Sequence, residues 1–130
     1  HGLAYALAGL THASHGSTNA VLLPYVMDAL VDQRRDELAE IARLAGATSG
    51  DLPSLARQAP VLIRRLVGRV GVPTDLVAFG VMEDQLARLV ADGLAVTRLA
   101  KAWPGAPAEH AYVQIVRNAY RGVLSGDERR

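Results

Sequence analysis

Apolar residues recur at intervals of three and four positions along most of the 130-residue chain, and this spacing strongly constrains the fold. Such a period places the apolar side chains on one face of an α-helix, whereas a half-buried strand would show alternation. Half of the residues are hydrophobic but only 5% are aromatic, so the core must be built from small aliphatic side chains. The pattern predicts an all-α, multi-helix bundle of about five or six helices, forming a single domain over residues 1–130.

Glycine, proline and polar turns divide the chain into the predicted helices. These helices are residues 1–10, 19–30 with Ser17 or Thr18 as N-cap, 32–44, 53–70, 83–99 and 108–123. Pro24 is expected to kink the second helix or to mark its buried middle, and Pro60 to interrupt the fourth. Residues 103–107 are predicted to form a rigid turn. Four residues of the third helix are predicted to share its apolar face: Leu38, Ile41, Leu44 and Ala45.

The chain carries 14 basic and 13 acidic residues, which gives a formal net charge of +1. This near balance argues against a nucleic-acid partner for the cluster Arg64, Arg65 and Arg69. Arg65 and Arg69, four positions apart, are interpreted as lying on the solvent face of an amphipathic helix. The uninterrupted apolar runs fall far short of the ~20 residues that cross a bilayer, and no leader pattern is present. We therefore expect a soluble, cytoplasmic protein with no membrane partner. Because the chain has no Cys, any metal must be bound by His, Asp or Glu.

Three of the four His residues fall within the first 15 positions: His1, His12 and His15. A turn between the first two helices can bring His15 back towards His1, because ten helical residues span only ~15 Å. Two imidazoles can then meet one divalent cation, but a catalytic metal site usually needs at least three protein ligands. Two interpretations therefore stay open: half of a metal site, or solvated residues of a polar turn. His12 is interpreted as such an exposed turn residue.

The segment HGLAYALAGLTHASHGSTNAVLLPYVM, residues 1–27, resembles the signature of the iron-containing (group III) alcohol dehydrogenases. His1 matches the first His of that signature, and the spacing of 14 positions from His1 to His15 is that of the family. The second block is matched by His15-Gly16, Asn19-Ala20, Leu23-Pro24 and Val26-Met27. Weaker similarity continues through Gly71-Val72-Pro73, Phe79-Gly80-Val81 and Trp103-Pro104 to residues 118–122. The resemblance thus covers the whole chain and is most specific at its start.

This resemblance implies the helical fold of the C-terminal domain in dehydroquinate synthase-like and iron-containing alcohol dehydrogenases. It also implies that His1 and His15 bind a catalytic Fe²⁺, or Zn²⁺, together with an Asp and a His that would precede residue 1. No Gly-x-Gly-x-x-Gly loop follows a strand here, so NAD(P) would be bound by a missing N-terminal nucleotide-binding domain. We therefore expect the C-terminal fragment of a longer dehydrogenase, inactive by itself and bound to that N-terminal domain.

The implied reaction is hydride transfer between the nicotinamide and a small-molecule alcohol or aldehyde substrate. Tyr5 stands where the family commonly has a His near substrate and nicotinamide, which makes Tyr5 a candidate catalytic residue. A Tyr can donate a hydrogen bond there but is a poor base near neutrality. The maleylacetate reductase branch of the same family is an alternative. A fragment separated from its partner domain is also expected to expose apolar surface and to form a homo-oligomer.

A different class of function is a non-catalytic helical interaction or oligomerisation module. This alternative predicts exposed apolar surface around Leu3, Leu7 and Leu10 that a partner covers. It also predicts that the His-rich turn is dispensable. Metal uptake that depends on the His residues would therefore separate the two classes.

Several other residues are interpreted as structural or surface positions. Trp103 is expected to plug a gap between helices, and Tyr112 to pack in the core with its hydroxyl at the edge. His110 is expected to be exposed. Asp28 and Asp32, four positions apart, could face a metal from one helix, but the resemblance gives them no such role.

Overall fold

The computed structural model describes residues 1–104 and 107–128, and within these ranges it contains helices and no β-strand. The helices are α1 (Gly2–Thr11), α2 (His15–Ala29), α3 (Arg35–Leu44), α4 (Leu52–Arg69), α5 (Leu76–Phe79), α6 (Leu86–Ala95), α7 (Thr97–Lys101) and α8 (Ala108–Arg121). The all-α prediction is confirmed, and the two short helices α5 and α7 exceed the expected number. In the described part of the chain, every helix is too short or too polar to cross a bilayer.

The predicted start of the second helix is wrong by four residues. α2 begins at His15 because Ser14 is the N-cap, and the Ser14 side chain accepts a hydrogen bond from Ser17 N at 3.2 Å. Thr18 is instead fully buried and donates from Oγ1 to the His15 carbonyl oxygen at 2.9 Å. The earlier start makes His15 the first residue of the helix.

Two other boundaries also differ from the prediction. The third helix begins at Arg35, three residues late, because the chain forms turns over residues 30–34. The helix predicted over residues 83–99 is divided into a 3₁₀ turn (Glu83–Gln85), α6 and α7. The division lies at Val96, whose ψ of 73° breaks the helical path. The predicted turn at 103–107 contains residues 105 and 106, which lie outside the described residues.

Both internal prolines lie inside continuous helices. The expected interruption at Pro60 is wrong, because α4 runs from Leu52 to Arg69 through that residue. Proline lacks the N–H that would bond to the carbonyl four residues before, so one hydrogen bond is lost. Pro60 is fully buried, and we attribute the tolerance of this loss to packing of its ring in the core. Pro24 is likewise buried inside α2, as expected.

The larger core lies between α1, α2, α6 and α8. Its fully buried members include Leu7, Val21, Leu89, Ile115 and Leu124. α1 and α6 approach closely at Gly93, where an added Cβ would lie 2.8 Å from Leu3 Cδ2. Leu3 and Leu7 are therefore buried within the chain, at 4% and 0% exposure. The exposed apolar surface that the interaction-module alternative placed around Leu3 and Leu7 is wrong, because α1 packs against α2 and α6.

A smaller core lies between the end of α2 and the antiparallel pair α3 and α4. It is rich in alanine, and its members include Met27, Leu38, Ala42, Ala56 and Ala59. Small residues let the two helix backbones approach, so the buried face of α3 is centred on Leu38, Ala39 and Ala42. Of the predicted face only Leu38 is buried, since Ile41 is 36% and Leu44 80% exposed and Ala45 is exposed as well.

Residues 122–127 form hydrogen bonds with both α2 and α4, and we call this segment the C-terminal clasp. Arg64 on α4 donates from Nη1 to the Gly122 carbonyl oxygen at 3.1 Å and to Asp127 Oδ2 at 3.0 Å. Asp28 on α2 accepts from Ser125 N at 2.9 Å and from Ser125 Oγ at 2.6 Å. The clasp thus holds α2 and α4 at the end of α8.

Candidate metal centre

The chain reverses between α1 and α2 over only three residues. His12 adopts the left-handed conformation, with φ of 60°, and its N–H donates to the Ala8 carbonyl oxygen at 2.8 Å. Ser14 then caps α2. His15, at the start of α2, consequently lies beside the first turn of α1 rather than beyond its end, as the ring contacts show. The predicted approach of His15 to His1 is confirmed.

The rings of His1, Tyr5 and His15 lie close together where the start of α2 contacts the start of α1. The centroids of the His1 and His15 rings are 5.5 Å apart at an interplanar angle of 27°. The Tyr5 ring lies 5.8 Å from that of His15 and 6.3 Å from that of His1. All three side chains are exposed, Tyr5 by 48%. We call His1 and His15 the imidazole pair, and Tyr5 lies beside this pair.

Asn19, one turn after His15 on α2, contacts the same ring. Its Nδ2 atom lies 3.0 Å from His15 Nε2 and 3.3 Å from Nδ1, and it donates to the His15 carbonyl oxygen at 3.0 Å. A ring nitrogen that accepts a hydrogen bond cannot bind a cation with the same lone pair. Asn19 can therefore hold the His15 ring in place before metal binding and must release one nitrogen when a metal binds.

The donor set fits one part of a metal site. Two imidazoles at this separation offer the nitrogen ligands that Fe²⁺ and Zn²⁺ accept. Within residues 1–104 and 107–128, no group of three or more His, Cys, Asp or Glu side chains is placed to hold an ion. A complete ligand set therefore needs donors in addition to His1 and His15. The phenol oxygen of Tyr5 is a further polar group at the same place.

An open depression of about 590 Å³ adjoins the imidazole pair. His1 is one of its lining residues, and the others, on α1 and α2, are Leu3, Ala4, Gly16, Asn19, Ala20, Leu22, Leu23 and Val26. Most of this lining is apolar, and the His1 imidazole is one of its few polar groups. A ligand with one polar group can bind at such a surface.

The other His and Asp residues considered from sequence lie elsewhere. His12 is exposed in the turn, and His110 is exposed on α8, as expected. Asp28 lies in the C-terminal clasp, where its two carboxylate oxygens accept hydrogen bonds from Ser125. Asp32 lies in the turn after α2 and not on that helix, so the expected shared helix face does not form.

Trp103 and Tyr112 form an edge-to-face pair with ring centroids 6.3 Å apart. Tyr112 is buried in the larger core, and Trp103 is half-buried against it. Burial raises the pKa of the Tyr112 hydroxyl. The expected role of Trp103 as a plug between helices agrees with this packing.

Sequence reasoning missed the partners of the C-terminal clasp. Arg64 is separated from Asp127 by 63 positions, and Asp28 from Ser125 by 97. No local spacing pattern connects residues so far apart. The placement of Arg65 and Arg69 on a solvent face is confirmed, and the third residue of that cluster, Arg64, is partly buried in the clasp.

Comparison with known proteins points to one family. Residues 1–120 match the family model described as "Fe-containing alcohol dehydrogenase family, C-terminal". The chain is similar to long-chain-alcohol dehydrogenase 1 of Geobacillus thermodenitrificans, with 33% identity over 126 residues, which cover 95% of this chain and 32% of the relative. It is also similar to maleylacetate reductase of Rhizobium sp., with 28% identity over 125 residues, which cover 95% of this chain and 31% of the relative.

A solved structure shows the same arrangement of helices. The crystal structure of a 1,3-propanediol oxidoreductase superposes with a TM-score of 0.80 and 31% identity, covering 92% of this chain and 31% of that one. The chain therefore spans about a third of the length of the relatives that match it over nearly its whole extent. In the solved structure, this helical arrangement is part of a larger protein.

Proposed function

The chain belongs to the Fe-containing alcohol dehydrogenase family, in its C-terminal region, and on this premise we propose that it is the metal-binding helical portion of an NAD(P)-dependent alcohol dehydrogenase or carbonyl reductase. The family resemblance drawn from residues 1–27 is thereby confirmed. The single observation that carries the proposal is the approach of the His1 and His15 rings to 5.5 Å. Two exposed imidazoles held this close at a helix junction are suited to share one cation.

In this proposal His1 and His15 hold Fe²⁺, or Zn²⁺, through one neutral nitrogen each. The remaining ligands and the NAD(P) site are assigned to a part of the enzyme without a counterpart here, because the chain covers only about a third of its relatives. The same reasoning makes an N-terminal nucleotide-binding domain the partner of this chain. The isolated chain would then bind metal without catalysing hydride transfer. Cytoplasmic localisation is part of the same proposal.

A bound divalent metal would act as a Lewis acid on the substrate oxygen, stabilising the alkoxide form during hydride transfer. In this proposal His1 and His15 position the metal, and Tyr5 positions the substrate oxygen. Tyr5 lies within 5.8 Å of the His15 ring, measured between centroids, and is exposed on the same side of the junction. We assign its hydroxyl to hydrogen bonding with the substrate oxygen, since a neutral phenol donates but abstracts protons poorly near pH 7.

The substrate is proposed to be a small alcohol or its carbonyl partner. The printed names of the relatives include a long-chain-alcohol dehydrogenase, a 1,3-propanediol dehydrogenase, a lactaldehyde reductase and a maleylacetate reductase. The alcohol dehydrogenase, the propanediol dehydrogenase and the lactaldehyde reductase are named for conversion between a hydroxyl and a carbonyl group. The maleylacetate reductase branch is the alternative within the family.

Calorimetric titration of the 130-residue chain with ZnCl₂ tests the metal proposal. We expect one Zn²⁺ per chain, with affinity lowered at least about tenfold by His1→Ala and by His15→Ala, because either variant removes one of two nitrogen ligands. The affinity should also fall as the pH is lowered, since protons compete with the metal for imidazole. Matched controls are His110→Ala, on an exposed part of α8, and His12→Asn, which keeps a residue that tolerates the left-handed backbone.

Two results would contradict the metal proposal. One is unchanged Zn²⁺ affinity in the His1→Ala and His15→Ala variants. The other is an equal loss of affinity in His12→Asn or His110→Ala, which would indicate nonspecific binding to surface imidazoles. Circular dichroism of each variant checks that the helices are intact.

A further inference from the structure

A second depression joins the one beside the imidazole pair. Its volume is about 270 Å³, and both depressions are lined by His1, Leu3 and Val26. The second is also lined by Leu30 and by residues of α7, of the segment after α7 and of α8. These residues are Leu99, Ala102, Trp103, Pro104, Tyr112 and Ile115. A continuous apolar surface therefore leads from the imidazole pair to the only Trp of the chain.

We infer that this surface binds the hydrocarbon chain of the substrate and that Trp103 is a specificity-determining residue at its far end. The inference rests on the proposed function, because it takes the substrate oxygen to lie at His1 and His15. Among the described residues, no Asp, Glu, Lys or Arg lines either depression. An uncharged aliphatic chain can be buried there favourably, whereas a carboxylate would lose its hydration without gaining a charged partner.

The wall formed by Trp103 is held in place by close packing. The Trp103 ring contacts Tyr112 edge to face, at an interplanar angle of 88°. α1 begins directly against this pair, since an added Cβ at Gly2 would lie 3.1 Å from the Tyr112 hydroxyl oxygen and 3.6 Å from Leu99 Cβ. His1 is the neighbour of Gly2 in the chain, so the same packing sets the position of His1 relative to the apolar wall. A fixed distance between polar and apolar ends is what selects a substrate by chain length.

Because Trp103 is the only Trp, its fluorescence reports ligands in the second depression directly. The experiment titrates the metal-free 130-residue chain with 1-butanol, 1-hexanol and 1-octanol, at concentrations that do not lower its thermal midpoint. We expect a saturable change in emission and an affinity that rises about fourfold per added methylene, the factor that ~0.8 kcal/mol per buried CH₂ gives. The compound 6-hydroxyhexanoate, which matches 1-hexanol but ends in a carboxylate, should bind at least about tenfold more weakly.

Variants locate the binding surface. Ala102→Leu places a larger side chain in the lining of the second depression and should weaken 1-octanol binding at least about fivefold. Ala95→Leu is the matched control, because Ala95 is also exposed near the end of a helix but lies outside both linings. Binding that is independent of alkanol length, or an equal effect of both variants, would overturn the inference.

The metal titration tests the proposed function, and the alkanol titration tests the inference separately. If Zn²⁺ binding is lost in the His variants while the alkanol series behaves as expected, both the proposed function and the inference are supported. If Zn²⁺ binds as proposed but the emission of Trp103 does not respond to alkanols, the inference alone is wrong. If alkanols bind but Zn²⁺ does not depend on His1 and His15, the surface binds hydrocarbon without the proposed function.

Discussion

The two ends of α2 use polar side chains in opposite ways. At its first residue, His15 is exposed, with its ring among the rings of His1 and Tyr5. Near its last residue, Asp28 accepts two hydrogen bonds from Ser125, at 2.9 and 2.6 Å. Arg64 and Asp127 complete the same clasp, with side chains only 21% and 22% exposed. One end is open to a ligand and the other is closed by the chain itself.

Within α2, the residue suited to ligand binding, His15, is therefore distinct from the residue that contributes to stability, Asp28. A side chain that will bind a ligand must keep lone pairs available, so it contributes little to the folded state by itself. A side chain that satisfies partners far apart in sequence restrains the chain and contributes to stability. Substitutions in the clasp should therefore lower the free energy of unfolding, whereas substitutions at the imidazole pair should alter metal affinity and leave stability nearly unchanged.

The largest loss of stability is expected for Gly126→Ala. An added Cβ at Gly126 would lie 2.5 Å from the Arg57 carbonyl oxygen and 2.9 Å from Val61 Cγ2, so the clasp must move away from α4. Urea unfolding should show a loss of about 3 kcal/mol. The control is Gly9→Ala, at an exposed position of α1, where the added Cβ meets nothing within 4 Å and should instead stabilise the helix by about 0.5 kcal/mol. Equal effects would show that the clasp does not hold α4.

A smaller loss is expected for Arg64→Met. Methionine keeps an unbranched apolar stem but removes the donors to Asp127 and to the Gly122 carbonyl oxygen. Because the pair is partly buried, we expect a loss of about 2 kcal/mol in the free energy of unfolding. Arg65→Met, on the exposed side of the same helix, and His15→Ala should each change it by less than about 0.5 kcal/mol. A comparable loss in His15→Ala would contradict the division between the two ends of α2.

The smallest effect is expected for Tyr25→Phe. The Tyr25 hydroxyl donates to the Thr74 carbonyl oxygen, and its removal should cost about 1 kcal/mol at pH 7.

Burial raises the pKa of Tyr25 above its ordinary value of 10.0, although the nearby Arg64 acts in the opposite direction. The unfolded chain therefore loses this proton first as the pH rises, and the stability that depends on the protonated group is complete below pH 10 and lost above it. Unfolding at pH 7 and above pH 10 should show that Tyr25→Phe is less sensitive to alkali than the parent chain. An unchanged alkaline slope would contradict this account.

Much of the local structure could be predicted from sequence because its causes are local. The three- and four-residue apolar period predicted the helical class, and the short spacing from His1 to His15 predicted their approach. The binding of metal by this pair stays a prediction, since the ring positions do not test it. Pro60 shows where a local rule fails: burial of one ring offsets the hydrogen bond that the helix loses.

The sequence by itself determined the helical class, the family signature of the first 27 residues and the reversal that pairs two imidazoles, since each depends on neighbouring residues. Only the tertiary structure decided that Ile41 and Leu44 are exposed, because the small residues of α4 select which face of α3 is buried. It also decided the partners of Asp28 and Arg64, which lie 97 and 63 positions away. Contacts over such separations depend on how all of the helices pack, and no local pattern encodes them.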